Sequence, residues 1–136
     1  MATAEPLSPD DRARILGEVY AAAREGRWDD LAAFVTDDFT IYEADALPYG
    51  GAWRGKDAFE RLYPAVMGTW ADPEAETLEI AGGKEWVLAV VRLTMTSKKT
   101  GRRFSQTVCE AGTFEGGLLK DLRIHYFDAA EVASQA

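Results

Sequence analysis

Apolar residues recur at helical spacing through the first half of the chain and at period two through the second. Leu16, Val19, Tyr20 and Ala23 fall at i, i+3, i+4 and i+7, which predicts an amphipathic helix. Ser8-Pro9-Asp10-Asp11 opens it, with Ser8 as N-cap, Pro9 in the first turn and two carboxylates against the positive end of the dipole. Gly26 is a fitting stop. Trp28, Leu31, Ala32 and Val35 repeat the spacing over a short second helix that ends near Thr36-Asp37-Asp38. Phe39 to Ala44 then reads as a strand, and Leu47 to Gly51 as a loop or turn marked by a proline and paired glycines. Trp53 and Arg54 follow, and Gly55 precedes a third helix with Phe59, Leu62, Tyr63, Val66 and Met67 on its apolar face. Pro64 within that run is expected to kink or shorten it.

From Glu74 onward the pattern is sheet. Glu74 to Ile80 alternates weakly, as an edge strand does, and Ala81 to Lys84 is a turn. Trp86 to Thr96 is a β-branched run, buried at its centre, and Ser97 to Arg102 is a polar, basic loop. Phe104 to Phe127 holds two strand-like runs around Gly116-Gly117, the signature of a hairpin. Residues 1–7 read as a loose tail and 129–136 as a frayed end. Three helices in the N-terminal half followed by a mostly antiparallel sheet is an α+β pattern. A strongly curved, cone-shaped sheet with the helices over its concave face would enclose one apolar pocket. No repeat or linker divides the chain, so residues 1–136 form one domain with its core at about 10–128.

Two carboxylates sit where the pattern calls for apolar groups. In the first run of the hairpin, Phe104, Gln106, Val108, Glu110, Gly112 and Phe114 share a face, opposite the polar Arg103, Ser105, Thr107, Cys109 and Thr113. Phe39, Ile41 and Glu43 likewise share one face of the earlier strand. A carboxylate among apolar neighbours is expensive unless it is paired, hydrogen-bonded or protonated. If both line one cavity, repulsion and desolvation raise at least one pKa and leave an acid beside a base. The bland alternative for Glu110 is a structural carboxylate satisfied by Tyr42, Gln106 or a backbone group.

Composition narrows the chemistry. With 136 residues and 47% apolar content the chain can bury a real core. A net charge of −8 argues against nucleic acid and anionic membranes as partners. No apolar run approaches the ~20 residues of a membrane-spanning helix. The first residues lack the features of a secretory signal, so a cytoplasmic location is the default expectation. Cys109 and His125 are the only residues of their types. No intrachain disulfide follows, and no metal cluster is expected. Leu122, Ile124 and Tyr126 form the inward face of the last strand, which leaves His125 outside, and Cys109 is outward by the same rule. Arg92 interrupts an apolar strand, but Val91, Leu93 and Met95 are its inward residues. Trp86, Thr94, Thr107 and His125 on the outer sheet face suggest a homodimer surface.

Three segments resemble a known family. Tyr20-Ala-Ala-Ala-Arg-Glu-Gly26, Leu31-Ala-Ala-Phe-Val-Thr-Asp-Asp38 and Thr40-Ile-Tyr-Glu43 look like the opening of the nuclear-transport-factor-2-like, or SnoaL-like, cone-shaped α+β barrels. Gly51-Ala-Trp-Arg-Gly55 before a helix and Phe114-Glu-Gly-Gly-Leu before a last strand continue the match. The group includes ketosteroid isomerase and the polyketide cyclases. The epoxide hydrolases of this fold use an acid–arginine–acid set, for which Arg92 would have to turn inward. By resemblance to ketosteroid isomerase, Glu43 stands at the place of the general base and Glu110 at that of a protonated acid that donates to the forming oxyanion. The isomerase's helix tyrosine aligns with Val19, and Tyr20 stands next to it, about 100° around the helix. The resemblance implies a cofactor-free isomerase, cyclase or dehydratase acting on an apolar, oxygenated small molecule. Glu43 and Glu110 would be catalytic, and Tyr20, Tyr49, Trp53, Tyr63, Gln106 and Tyr126 would line the ligand. A non-catalytic binding protein with the same pocket remains the alternative, since fold alone does not set function.

Overall fold

Ser8 starts the first helix as its sequence predicts. In the computed structural model, which describes residues 6–136, the Ser8 hydroxyl accepts from the Asp11 N–H at 3.0 Å and the Asp11 carboxylate accepts from the Ser8 N–H at 3.0 Å. This reciprocal capping box opens α1 (Pro9–Arg24), followed by α2 (Trp28–Ala32) and the strands β1 (Val35–Glu43) and β2 (Gly51–Arg54). Then come α3 (Ala58–Thr69), β3 (Trp70–Gly82), β4 (Val87–Ser97), β5 (Arg103–Glu115), β6 (Leu118–Tyr126) and α4 (Ala129–Gln135). The six strands form one sheet in the order β2-β1-β6-β5-β4-β3. All neighbours are antiparallel except β1 and β6. Register breaks between Ala71 and Glu74, Thr77 and Glu79, and Thr113 and Phe114 bend the strands, as extra residues in a ladder do. The curved sheet wraps Leu16, Val19 and Ala23 of α1 into a core shared with Leu31, Phe39, Trp70, Met95 and Leu122. The architecture is the α+β cone expected from the sequence. No helix among the described residues is long and apolar enough to cross a membrane.

The β5–β6 hairpin turns where the glycine pair predicts. Gly116 and Gly117 have φ of 59° and 83°, and two successive left-handed residues make the tight turn whose twist matches the strands. Val91, Leu93 and Met95 of β4 are buried, while Arg92 points outward and pairs with Glu76 at 3.6 Å.

Four expectations are corrected. Val35, assigned to the second helix by spacing, instead begins β1, where it pairs with Leu119. Apolar positions four apart also fit a helix followed by a strand, and pairing to β6 decides the matter. Gly51, read as the end of the loop, instead opens the short edge strand β2 that carries Trp53 and Arg54. Pro64 neither ends nor visibly shortens α3, which runs through it to Thr69. The C-terminal residues are a helix and not a frayed end. Asp128 caps α4 by accepting from the Glu131 N–H at 3.1 Å, Val132 is fully buried, and Arg102 meets Glu131 at 3.3 Å. A single apolar anchor among alanines leaves too little periodicity to read.

The sheet and α1 meet most closely at Gly82. A Cβ there would run into the Pro9 backbone, and next to it the buried Arg12 donates from Nη1 to the Gly83 carbonyl at 2.6 Å. Gly82→Ala is therefore expected to lower stability by about 1–3 kcal/mol through overpacking, measured as a lower urea midpoint. An unchanged midpoint would mean that the helix start shifts freely.

Candidate active site

Three adjacent strands put the two inward glutamates on either side of one residue. Glu110 of β5 is in register with Ile124 of β6. Tyr42 of β1 is in register with Arg123, so the next position sets Glu43 beside Ile124. The two glutamates thus lie two strand spacings apart, about 9.5 Å between backbones, on the same concave face. Glu side chains are long enough to lean toward each other across Ile124. Tyr126, two residues farther along β6, shares that face and pairs with Val108. Opposite them α1 presents Tyr20, whose hydroxyl donates to Glu110 Oε1 at 2.6 Å. Tyr20, and not Val19, is the residue of α1 that faces the glutamates, while Val19 is fully buried in the core. The cavity, open to solvent at one side, is about 220 Å³. Leu62, Tyr63, Val66 and Met67 of α3 wall one side, and Pro73, Ala75 and Thr77 of β3 line its edge.

Burial decides the charge state. Glu43 is only 9% exposed and its Oε1 has no hydrogen-bond partner among the described residues. Removal from water, then the charge of Glu110, push its pKa up to about 8. The Tyr126 hydroxyl and the Ala44 N–H pull the other way without winning. Glu110 is also raised by burial, but the Tyr20 hydroxyl opposes this by stabilising the carboxylate. Tyr20 in turn is held well above an ordinary phenol by burial and by the Glu110 charge, so it remains a donor. Two like charges in one apolar cavity repel, so once one of the pair has ionised the other holds its proton more tightly. The geometry favours that proton on Glu43 and the charge on Glu110, the reverse of the roles that the family resemblance implied.

A buried chain of donors backs Glu43. Trp70 Nε1, which can only donate, gives its hydrogen to Tyr49 Oη at 3.3 Å. Tyr49 Oη lies 3.2 Å from Tyr126 Oη, so with Trp70 donating to it, Tyr49 can donate onward to Tyr126. The Tyr126 proton is then free to point toward Glu43.

Of the residues expected to line the ligand, Tyr20, Tyr63 and Tyr126 face the cavity together with Glu43 and Glu110. Tyr49, Trp53 and Gln106 do not. Tyr49 is buried behind Tyr126 in the donor chain. Trp53 donates to the Tyr49 carbonyl at 3.0 Å and carries the Arg61 guanidinium over its ring. Gln106 is inward by parity, but its carbonyl oxygen accepts from the Asp128 N–H at 2.9 Å and ties β5 to the start of α4. A polar residue in an inward stripe is thus as easily a packing tie as a ligand contact. His125 and Trp86 are exposed on the outer face, where Arg123 stacks over both Tyr42 and Trp86. Sequence reasoning missed Trp70, Arg24 and the β3 stripe Pro73, Ala75, Thr77. The last had a signal, since the acids Glu74 and Glu76 alternate with them.

Comparison with known proteins agrees with the fold. The SnoaL-like domain family matches residues 16–122. An NTF2-like protein from Burkholderia xenovorans is 22% identical, with 95% of this chain and 98% of that one covered and a TM-score of 0.77. An NTF2-like protein from Burkholderia thailandensis is 18% identical over 95% and 98% of the two chains, with a TM-score of 0.79. A structure from Jannaschia described as a SnoaL-like polyketide cyclase is 13% identical over 99% and 96%, with a TM-score of 0.74. At these identities the likeness is one of fold. No curated protein sequence matches the chain.

Proposed function

Because this chain belongs to the family of SnoaL-like domains, we propose that its cavity is the active site of a small-molecule isomerase or cyclase that moves a proton next to a carbonyl. One observation carries the reading: two glutamates converge on a single apolar cavity, one steadied as a carboxylate by a tyrosine and the other left without a partner on one oxygen among the described residues. Glu110 takes the proton from the carbon beside the carbonyl, and the C–H pair moves into the new C=C bond. The carbonyl oxygen takes up the displaced charge, and Glu43 donates its proton or a strong hydrogen bond to it. Glu110 then returns the proton to carbon, at the same or a conjugated position, and Glu43 recovers its own. No group is consumed. The apolar walls hold the substrate body and keep water from competing for the enolate.

The test follows exchange of the α-hydrogens of small enolisable ketones, such as cyclohexanone and β-tetralone, for solvent deuterium by NMR. The wild-type protein is expected to accelerate exchange of at least one ketone well above buffer. If every ketone that binds exchanges at the buffer rate, the proton-transfer reading is wrong and the cavity belongs to a non-catalytic binder.

A further inference from the structure

The cavity that we read as the active site has one cation at its edge. Arg24 sits one helical turn beyond Tyr20 on α1, so both lie on the same face, with Tyr20 reaching inward to Glu110 and Arg24 nearer the helix end. Apart from Glu43 and Glu110, every other side chain lining the cavity is uncharged, including Val66 and Met67 from α3 and Pro73, Ala75 and Thr77 from β3. The acids of β3 do not compensate Arg24. Glu74 and Glu76 alternate to the other face, where they meet Arg103 and Arg92. Glu25, its sequence neighbour, is held by Arg27 at 2.6 Å, and Arg24 has no ion pair among the described residues. Arg24 contrasts in this with Arg14, Arg27, Arg54, Arg61, Arg92, Arg102, Arg103 and Arg123, each of which has a carboxylate within 4.0 Å.

We propose that Arg24 is a specificity-determining residue that receives an anionic group, a carboxylate or its equivalent, carried by the substrate at the cavity mouth. The substrate class follows from the order of the lining: an apolar body, a carbonyl at the deep end beside the glutamates, and an anion at the end that meets Arg24. Chemistry alone supports this polarity. An anion could not lie at the deep end beside the Glu110 charge without strong repulsion, whereas a planar guanidinium binds a carboxylate through two parallel hydrogen bonds. A protein with a net charge of −8 also repels anions at long range, so an anionic substrate needs a local positive group to dock.

This inference rests on the cavity being the ligand site, and its test needs no turnover. Hydrocinnamate and hydrocinnamamide share shape and apolar body and differ in charge. Their binding is measured by calorimetry to the wild-type protein, Arg24→Gln and Arg24→Lys. The wild type is expected to prefer the carboxylate. Arg24→Gln should weaken carboxylate binding by about fivefold, the modest scale of a solvent-screened pair, and leave the amide unchanged. Arg24→Lys should restore part of the preference, and added salt should erode it in the wild type and in Arg24→Lys but not in Arg24→Gln. The proposal is overturned if the carboxylate-to-amide ratio is the same in Arg24→Gln, if the wild type prefers the amide, or if neither compound binds. A lost ratio with no ketone exchange sinks the catalytic reading and keeps Arg24 as a recognition residue. An unchanged ratio with intact exchange does the opposite.

Discussion

Glu43→Gln is expected to make the protein progressively more stable than wild type as pH rises from about 4.5 to 8. The folded pKa of Glu43 lies near 8, above its ordinary value of 4.5. Between those values the unfolded chain has released the proton while the folded protein still holds it. The folded state binds more protons there, so wild-type stability falls with rising pH, and above the folded pKa the deficit stays constant. This is the reverse of a salt-bridged carboxylate, which gains stability over the same direction. Each pKa unit is worth ~1.4 kcal/mol, and after allowance for relaxation around a buried group the loss should be about 2–4 kcal/mol. Glutamine keeps the shape and cannot ionise, so its stability should lack this slope. Glu110, also raised, contributes a slope of the same sign that remains in both proteins and cancels in the difference. Urea denaturation at pH 5 and pH 8 measures it. Parallel pH dependence in the two proteins would show that Glu43 ionises freely in the fold.

The two glutamates were legible in the sequence because strand parity needs only one strand at a time. Glu110 and Glu43 each sit in an apolar stripe, and both proved to face the same cavity. Tyr20 was also within reach, since helix spacing puts it with Leu16 and Ala23, even though alignment to the isomerase picks out Val19. The charge assignment was not legible. It depends on a hydrogen bond between Tyr20 and Glu110, on helix and strand far apart in sequence, and on the absence of an equivalent partner at one oxygen of Glu43. The false assignments share a cause as well. Tyr49, Trp53 and Gln106 have the residue types of ligand contacts, but their polar atoms are taken by Tyr126 and Trp70, by a backbone carbonyl, and by the Asp128 N–H. Composition cannot tell an occupied polar group from a free one. Arg24 went unnoticed for the converse reason: exposed arginines are common, and only the missing counter-charge sets this one apart.

Glu110→Gln is expected to carry the largest functional loss, about 10²–10⁴-fold in the rate of ketone α-exchange, the usual range for removing a positioned base. Gln can still accept from the Tyr20 hydroxyl, so the fold and cavity should survive, and affinity for an unreactive ketone should change little. That separation marks an interaction made in the transition state rather than in binding. Glu43→Gln should lose less, because an amide N–H can still donate to the enolate oxygen although it cannot deliver a proton. The pH profile discriminates further. Wild-type exchange should rise as Glu110 ionises and fall near pH 8 as Glu43 loses its proton. Glu43→Gln should lack the alkaline fall. Tyr20→Phe removes the donor that steadies the Glu110 carboxylate, so the acid limb should move to higher pH. If instead Glu43→Gln abolishes exchange and Glu110→Gln stays active but lacks the alkaline fall, the base is Glu43 and the proton sits on Glu110. Loss in neither variant would remove proton transfer by this pair from consideration.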